Sequence, residues 1–303
     1  MVTGLKLQRA FRKQSLGARG ELALFRAFIR AFSSLGSEAL AKEYHGNRYQ
    51  VTFNQARGAG RSTPRCELCD VLIVHYPMGN PSAARITFNQ AKVASKPFGC
   101  YRTAQLSKPY SFRANLEQWD LLSNRPLIGP ATRTFKPPSD LLSGAILPSV
   151  GTFGVFYPVG HGFDFAYFVA DGLTALNNLG GRSGTLQWAN PLHQLRTVSG
   201  HTEITGTCCM QMFGDALQMG YVGTPVAQLL SSSNRPSALR AWLASVLVAL
   251  RREHQDSELP NELLEGLELV GATEDGNALL GGEGPTPVRA VVLVRTDGSH
   301  RNE

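Results

Sequence analysis

The chain has 303 residues, of which 43% are apolar and 17% are charged, so it can bury a sizeable core and is not a disordered chain. The mainly apolar stretch at 242–250 is too short to span a bilayer, and no apolar segment follows the basic residues near the N-terminus as it would in a signal peptide. We therefore expect a cytoplasmic protein without a membrane partner.

The charge is distributed unevenly along the chain. Residues 1–252 contain 27 Lys and Arg against 12 Asp and Glu, a net charge of +15, whereas residues 253–303 contain 3 against 11, a net charge of −8. A front part this basic is typical of proteins that bind a polyanion, because lysine and arginine neutralise phosphates and release their counterions. The charge pattern therefore predicts nucleic acid as a partner.

The first half of the chain alternates between helical and strand patterns. Residues 1–19 resemble a basic arm, apolar residues at helical spacing predict a helix over 20–34, and a second short helix is expected over 37–44. Alternating polar and apolar residues predict a strand over 49–54. Residues 69–76 form a continuous apolar run typical of a strand buried on both faces, and a turn at 77–82 leads to the next strand, 84–94. The stretch 69–94 is therefore predicted to be a hairpin.

The second half adds helices and a last strand. Helices are expected over 112–123, around 208–220 and over 237–253, with Ser237 as an N-cap, and strands over 152–159, 163–170 and 288–296. Residues 126–150 contain five prolines and predict an extended connector, and residues 253–285 predict a loop with one short helix.

These elements predict an α/β fold. A central mixed β-sheet, built from strands near 49–54, 69–76, 86–93, 152–159 and 163–170, would be flanked by helices. We expect the arm 1–19, an α/β core at 20–175, and a mixed, mainly helical C-terminal portion at 176–303 that serves oligomerisation, targeting or control.

Nearly the same hexapeptide occurs twice, as TFNQAR at 52–57 and TFNQAK at 87–92. The second copy follows Asp70, which opens the apolar strand, by one hairpin. Gln90 and Lys92 are two residues apart on a strand and so point to the same face. If the hairpin pairs as expected, a carboxylate, an amide oxygen and an ammonium converge at one end of the sheet.

This combination of groups predicts a site for a hard divalent cation. An isolated carboxylate at the mouth of a buried strand is costly unless it is paired or bound to a cation. Mg²⁺ or Mn²⁺ takes oxygen ligands, and a neighbouring lysine can position the attacking water or neutralise developing charge. Glu21, at the start of the preceding helix, would complete the constellation, although Glu38 competes with it for this role.

Glu21, Asp70 and the tripeptide Gln90-Ala91-Lys92 resemble the PD-(D/E)xK nuclease superfamily, over about residues 20–170. The resemblance implies a restriction-endonuclease-like core and a Mg²⁺- or Mn²⁺-dependent endonuclease that acts on DNA rather than RNA, in restriction or phage defence. It implies that Asp70, Glu21 and Gln90 hold the metal and that Lys92 assists the attacking water.

Gln90 departs from the commonest form of this motif, which has an acid at that position. The neutral amide removes one negative charge from the metal site, so metal affinity should fall. The alternative is therefore a catalytically inactive nuclease-fold protein that binds nucleic acid or acts as an assembly subunit. Glu67 is close enough in sequence to replace the missing acid, although a solvated loop glutamate is the simpler interpretation.

The first hexapeptide copy has no acid-bearing strand before it, and arginine cannot accept a proton. We expect it to form the neighbouring strand of the same sheet. Arg57, Arg61 and Arg65, together with Lys96 and Lys108 beyond the second copy, are candidate contacts to the phosphates of double-stranded DNA. The helix at 237–253 offers a surface for self-association, which favours a homo-oligomer or a subunit of a defence complex.

Other chemistries have weaker support in the sequence. Cys66 and Cys69 have the spacing of half a zinc site but lack a partner pair, so two packed thiols are expected. His75 alternates to the face opposite Asp70, which favours a structural histidine. A hydrolase based on cysteine and histidine is a third hypothesis.

Overall fold

The computed structural model of the chain describes residues 3–44, 49–54, 63–99, 109–133, 135–176, 181–272 and 288–297. Within them, seven α-helices are formed: α1 Gly4–Gln14, α2 Gly20–Ser33, α3 Leu116–Asn124, α4 Met210–Gln218, α5 Val226–Ser232, α6 Pro236–Glu253 and α7 Leu259–Gly266. The strands of the same residues are β1 Ala39–Glu43, β2 Gln50–Phe53, β3 Arg65–Glu67, β4 Val71–Pro77, β5 Arg85–Val93, β6 Tyr110–Asn115, β7 Ile128–Pro130, β8 Gly151–Val159, β9 Gly162–Val169, β10 Thr174–Ala175, β11 Ser183–Trp188, β12 Leu195–Val198, β13 His201–Ile204, β14 Gly206–Thr207, β15 Thr224–Pro225 and β16 Ala290–Thr296.

The fold is α/β with a large mixed sheet, as expected. Eight strands form this sheet in the order β1-β16-β4-β5-β8-β9-β14, and β15 pairs with the beginning of β5. The pairs β16–β4 and β5–β8 are parallel and the others are antiparallel. In the described ranges, every helix is too short or too polar to cross a membrane.

Helices cover both faces of the main sheet. One face packs against α1, α2 and α4 through residues such as Ile73, Phe156 and Val292, and the other packs against α3, α5, α6 and α7. Because β4 and β16 are buried on both sides, they consist almost entirely of apolar residues. This arrangement leaves the ends of the strands as the places where polar groups can gather.

The prediction that strand 49–54 belongs to the central sheet is wrong. This segment forms β2, which pairs with β3 and β7 in a separate three-stranded sheet. Alternation of polar and apolar residues reports a strand with one buried face, and it does not distinguish between sheets. The expected extended connector at 126–150 contributes β7 to this small sheet.

The N-terminal region is also different from the prediction. Residues 4–14 are helix α1 rather than part of an arm, and Leu7 and Phe11 are completely buried against α2 and α4. The expected helix at 37–44 is instead the edge strand β1, paired with β16. Residues 37–44 contain few apolar residues, so their spacing establishes neither a helical nor a strand pattern.

The boundary at residue 175 does not separate two structural units. Strands β14, β15 and β16 all come from the part assigned to residues 176–303, and all three belong to the main sheet. Helix α6 begins at Pro236 with Arg235 as its N-cap, so Ser237 lies inside the first turn. Proline is favoured at the first helical position because it has no N–H to leave unpaired there.

Candidate active site

The site lies at the end of the main sheet where β4 and β16 begin and β5 ends. Val71 is opposite Asn89 in the β4–β5 hairpin, so Asp70 comes beside Gln90. The amide N–H of Asp70 donates to the carbonyl of Asn89 at 3.0 Å, which continues the ladder to this point. Because β16 runs parallel to β4 with Val291 opposite Leu72, Arg289, the residue immediately before β16, lies at the same end of the sheet.

Asp70 is the central carboxylate of the site and is only 6% exposed. Its Oδ2 accepts a hydrogen bond from the amide of Ala91 at 2.8 Å and lies 3.9 Å from the ammonium of Lys92. Its Oδ1 accepts a hydrogen bond from Nη1 of Arg289 at 3.0 Å. The structure therefore brings Asp70 and Lys92 together, as the predicted pairing of the hairpin requires.

Lys92 and Glu21 form the second contact of the site. The ammonium of Lys92 lies 3.8 Å from Oε1 of Glu21 and donates to the carbonyl of Ala91 at 2.7 Å. Glu21 is in the first turn of α2, and burial raises the pKa of its carboxyl, partly opposed by Lys92. Glu38 forms an ion pair with Lys6 at 3.3 Å, so Glu21 is the helix acid at this site.

Gln90 is fully buried and makes an unexpected contact. Its Nε2 donates to the backbone carbonyl of Glu67 at 3.2 Å, whereas its Oε1 has no hydrogen-bond partner within the described part of the chain. A buried polar atom without a partner costs about 1–3 kcal/mol, so such an atom commonly marks a place for water, an ion or a ligand.

Two further charged groups complete the cluster, and the sequence prediction missed one of them. Nη1 of Arg289 lies 3.5 Å from Oε2 of Glu67 as well as 3.0 Å from Oδ1 of Asp70, and its guanidinium stacks over the Phe25 ring at 5.5 Å. Glu67 is therefore an ion-paired residue at the end of β3 and not a solvated loop glutamate. Arg289 is 219 residues from Asp70 in sequence, and only the apolar pattern of the strand that it precedes hinted at its position.

The cluster has more negative than positive charge when all its groups are ionised. Glu21, Glu67 and Asp70 are opposed by Lys92 and Arg289. Burial raises the pKa of the Glu67 carboxyl, and the charge of Asp70 raises it further. Since each carboxylate disfavours ionisation of the next, an added cation or proton would relieve their repulsion.

The donor chemistry fits a hard cation, although the carboxylates are held by side-chain cations. The oxygens of Asp70, Glu21 and Gln90 are of the kind that Mg²⁺ and Mn²⁺ prefer, and the buried Oε1 of Gln90 lacks a partner. Across the described ranges, no three His, Cys, Asp or Glu side chains are close enough together to hold a metal. Asp70 and Glu21 would therefore not form a full set of ligands by themselves, and the amide oxygen of Gln90 or water would have to complete it.

Of the five candidate phosphate contacts, the structure describes two, and three lie outside the described residues. Arg65 is exposed on β3 and donates to Oε1 of Gln50 on the neighbouring strand at 2.6 Å. Lys96 is exposed just after β5. Arg57, Arg61 and Lys108 lie outside the described residues.

The cysteine and histidine candidates are structural. Cys66 and Cys69 are buried free thiols, and burial raises the pKa of both, which opposes formation of a nucleophilic thiolate. Nε2 of His75 lies 2.7 Å from the carbonyl of Val222 in the interior. These observations do not favour a cysteine–histidine hydrolase.

Comparisons of the chain with protein-family models, with curated proteins and with solved structures gave no match. The function therefore has to be argued from the residues of the site and their chemistry.

Proposed function

We propose that this chain is a metal-dependent nuclease that hydrolyses phosphodiester bonds of nucleic acid, with double-stranded DNA as its preferred substrate over RNA. The observation that carries the proposal is the position of the Lys92 ammonium, 3.9 Å from Asp70 and 3.8 Å from Glu21. A lysine held by two acids at the end of a sheet strand matches the motif on which the resemblance to PD-(D/E)xK nucleases rests.

Each residue of the motif has a role that its surroundings support. Asp70, Glu21 and Gln90 would hold Mg²⁺ or Mn²⁺, and such an ion, when bound, polarises a phosphodiester and lowers the pKa of a bound water. Lys92 is fixed by the carbonyl of Ala91 and by two carboxylates, so its ammonium is oriented before substrate arrives. From there it would position the attacking water and neutralise the charge that develops on the phosphate.

The charge of the chain supports a polyanionic substrate. Residues 1–252 have a net charge of +15, and this part contains Glu21, Asp70, Gln90 and Lys92. By resemblance, the activity would serve restriction or phage defence in the cytoplasm, with the chain acting as a homo-oligomer or as a subunit of a defence complex.

One observation favours a second candidate function. Oδ1 of Asp70 is paired with Arg289 at 3.0 Å, and an arginine in this position can replace the metal ion permanently. In that case the chain would be a nuclease-fold protein that binds nucleic acid, or assembles with other subunits, without cleaving it.

Cleavage of supercoiled plasmid with Mg²⁺ or Mn²⁺, with and without EDTA, tests the two functions. We expect nicking by the parent that EDTA abolishes, and a loss of at least about 100-fold in Asp70→Asn and Lys92→Met, since a positioned catalytic group contributes about 10²–10⁴-fold. Arg295→Gln, at the other end of β16, is the control and should nick normally. Binding of DNA by the parent without cleavage under either metal would establish the second function, and neither binding nor cleavage would rule out both.

A further inference from the structure

We propose that the outward face of α1, continued by the loop into α2, binds the phosphate backbone of double-stranded DNA and directs it to the candidate active site. This inference rests on the proposed function and adds the surface by which the substrate is held. The surface, the basic face, consists of Lys6, Arg9, Arg12, Lys13 and Arg19. All five residues are exposed.

The first argument is that the basic face has charges of one sign. Residues 1–19 contain five Lys and Arg and no Asp or Glu. Arg9, Lys13 and Arg19 form no ion pair within the described part of the chain. Their charges are therefore available to phosphates, and cations clustered on one face are the electrostatic footprint of a protein that binds nucleic acid.

The second argument is that the positions of these charges do not serve the helix itself. Lys6 is in the first turn of α1, where the positive end of the helix dipole favours an acid. Arg9 and Lys13 are spaced i and i+4, and like charges at this spacing repel each other. A solubilising surface would be served by charges of both signs. The arrangement opposes helix stability, and an anionic ligand explains it better.

The third argument is that the basic face leads to the end of the sheet where the candidate active site lies. Arg12 pairs with Asp164, near the start of β9, at 3.1 Å. Because β8 is parallel to β5 and β9 is antiparallel to β8, Asp164 lies at the same end of the sheet as Lys92. Arg19, the N-cap of α2, comes just before Glu21, whose carboxylate lies 3.8 Å from the Lys92 ammonium.

The packing of α1 favours nucleic acid over an anionic membrane as the ligand. Leu7 and Phe11 are completely buried against α2 and α4. A helix that binds a membrane surface inserts a free apolar face between the lipids, whereas α1 exposes one large apolar side chain, Leu5. The charges of α1 are therefore accessible, and its apolar stripe is not.

Binding of a fluorescent DNA duplex, followed by anisotropy in EDTA so that cleavage does not intervene, tests the proposal. Each phosphate contact contributes about 0.9 to the steepness with which log affinity falls against log salt concentration. We expect the double variant Arg9→Gln/Lys13→Gln to lower this slope by about 1.8 and to weaken binding at least about tenfold at about 50 mM salt.

The matched control is Arg251→Gln/Arg252→Gln, which removes the same charge from the last turn of α6, on the other face of the sheet. Both arginines are exposed, as Arg9 and Lys13 are. The control should keep the affinity and the salt slope of the parent. Equal losses in the two double variants, or an unchanged slope in Arg9→Gln/Lys13→Gln, would overturn the proposal.

Thermal unfolding followed by circular dichroism separates a lost contact from a lost fold. Because the two charges repel each other, Arg9→Gln/Lys13→Gln should unfold at the temperature of the parent or above it. If this variant nevertheless fails to fold, Arg19→Gln replaces it, since Arg19 lies in the loop before α2. The salt slope should then fall by about 0.9.

The parent protein separates failure of this inference from failure of the proposed function. If the parent binds DNA and Arg9→Gln/Lys13→Gln binds it with the same affinity and slope, only the basic face is overturned. If the parent does not bind DNA, both proposals are overturned. Binding of the parent to vesicles of phosphatidylcholine and phosphatidylserine, without binding to DNA, would assign the basic face to a membrane instead.

Discussion

Asp164 and Asp70 are both buried aspartates with an arginine partner, yet their surroundings are opposite in kind. Oδ1 of Asp164 accepts hydrogen bonds from the amides of Phe165 and Met210, both at 2.9 Å. Its Oδ2 accepts from Nε2 of Gln8 at 2.9 Å and from Arg12 at 3.1 Å. Four donors therefore satisfy one carboxylate, and they join α1, β9 and α4.

Asp70 accepts fewer hydrogen bonds than Asp164, and a neighbouring buried oxygen has no partner among the described residues. Among the described residues it accepts one hydrogen bond on each oxygen, from Arg289 and from the amide of Ala91. The nearby Glu21 side chain is 49% exposed, and Oε1 of Gln90 has no partner in the described ranges. The Asp164 site holds elements together, whereas beside Asp70 the described structure leaves the buried Oε1 of Gln90 without a partner.

The largest expected effect is a loss of stability on replacing either aspartate with alanine, and the loss should be larger for Asp164 than for Asp70. Asp164→Ala leaves three buried donors without their acceptor, the amides of Phe165 and Met210 and Nε2 of Gln8, and at about 1–3 kcal/mol for each unsatisfied group we expect a loss of at least about 3 kcal/mol. Asp70→Ala should cost about 1–2 kcal/mol, because Arg289 keeps Glu67 as a partner and is partly exposed. Urea unfolding followed by circular dichroism measures both changes. Equal losses would mean that Asp70 is as structural as Asp164.

A smaller stability effect is expected where α1 meets α4, close to Asp164. A Cβ on Gly214 would lie 2.6 Å from Cα of Gly4, a backbone atom that cannot move without shifting α1. Gly214→Ala should therefore destabilise the protein by about 1–3 kcal/mol through overpacking. The control is Gly162→Ala, since a Cβ at Gly162 meets no atom within 4 Å. A neutral result for Gly214→Ala in the same unfolding assay would show that the α1–α4 contact is loose.

The part of the site that sequence could predict is the part that is local. Residues 69–94 contain two strand-forming runs on either side of one turn, which allows one hairpin, and this hairpin alone brings Asp70 beside Gln90 and within reach of Lys92. Glu21 is predicted because apolar residues at helical spacing place it in the first turn of α2, which begins at Gly20. Each of these inferences needs only contacts between neighbouring elements.

What the sequence could not supply is the pairing of distant segments. Arg289 reaches Asp70 only because β16 inserts between β1 and β4, and an apolar strand pattern does not specify its neighbours. Glu67 was misjudged for the same reason, since its ion pair is with Arg289. The helix α1 was missed because its buried apolar stripe is narrow, with Leu7 and Phe11 among basic residues that suggested an arm.

The site around Asp70 can be tested by removing the guanidinium of Arg289, which contacts both Asp70 and Glu67. A divalent cation approaching these two carboxylates has to compete with a fixed positive charge 3.0 and 3.5 Å away from them. Charges at such distances interact by several kcal/mol even at an effective dielectric constant of about 20, so Arg289→Gln should free part of that attraction. We expect Mn²⁺ to bind about tenfold more tightly, which corresponds to about 1.4 kcal/mol.

Arg295→Gln is the matched control for this change, because Arg295 lies on the same strand and pairs with Glu262 at 2.6 Å. It removes the same charge from the opposite end of β16 and should leave Mn²⁺ affinity unchanged, as followed by titration calorimetry. Weaker binding in Arg289→Gln would show that the arginine orients the two carboxylates more than it competes for them. That result would make Arg289 a positioning residue, and it would remove the main observation in favour of a site permanently closed by its own arginine.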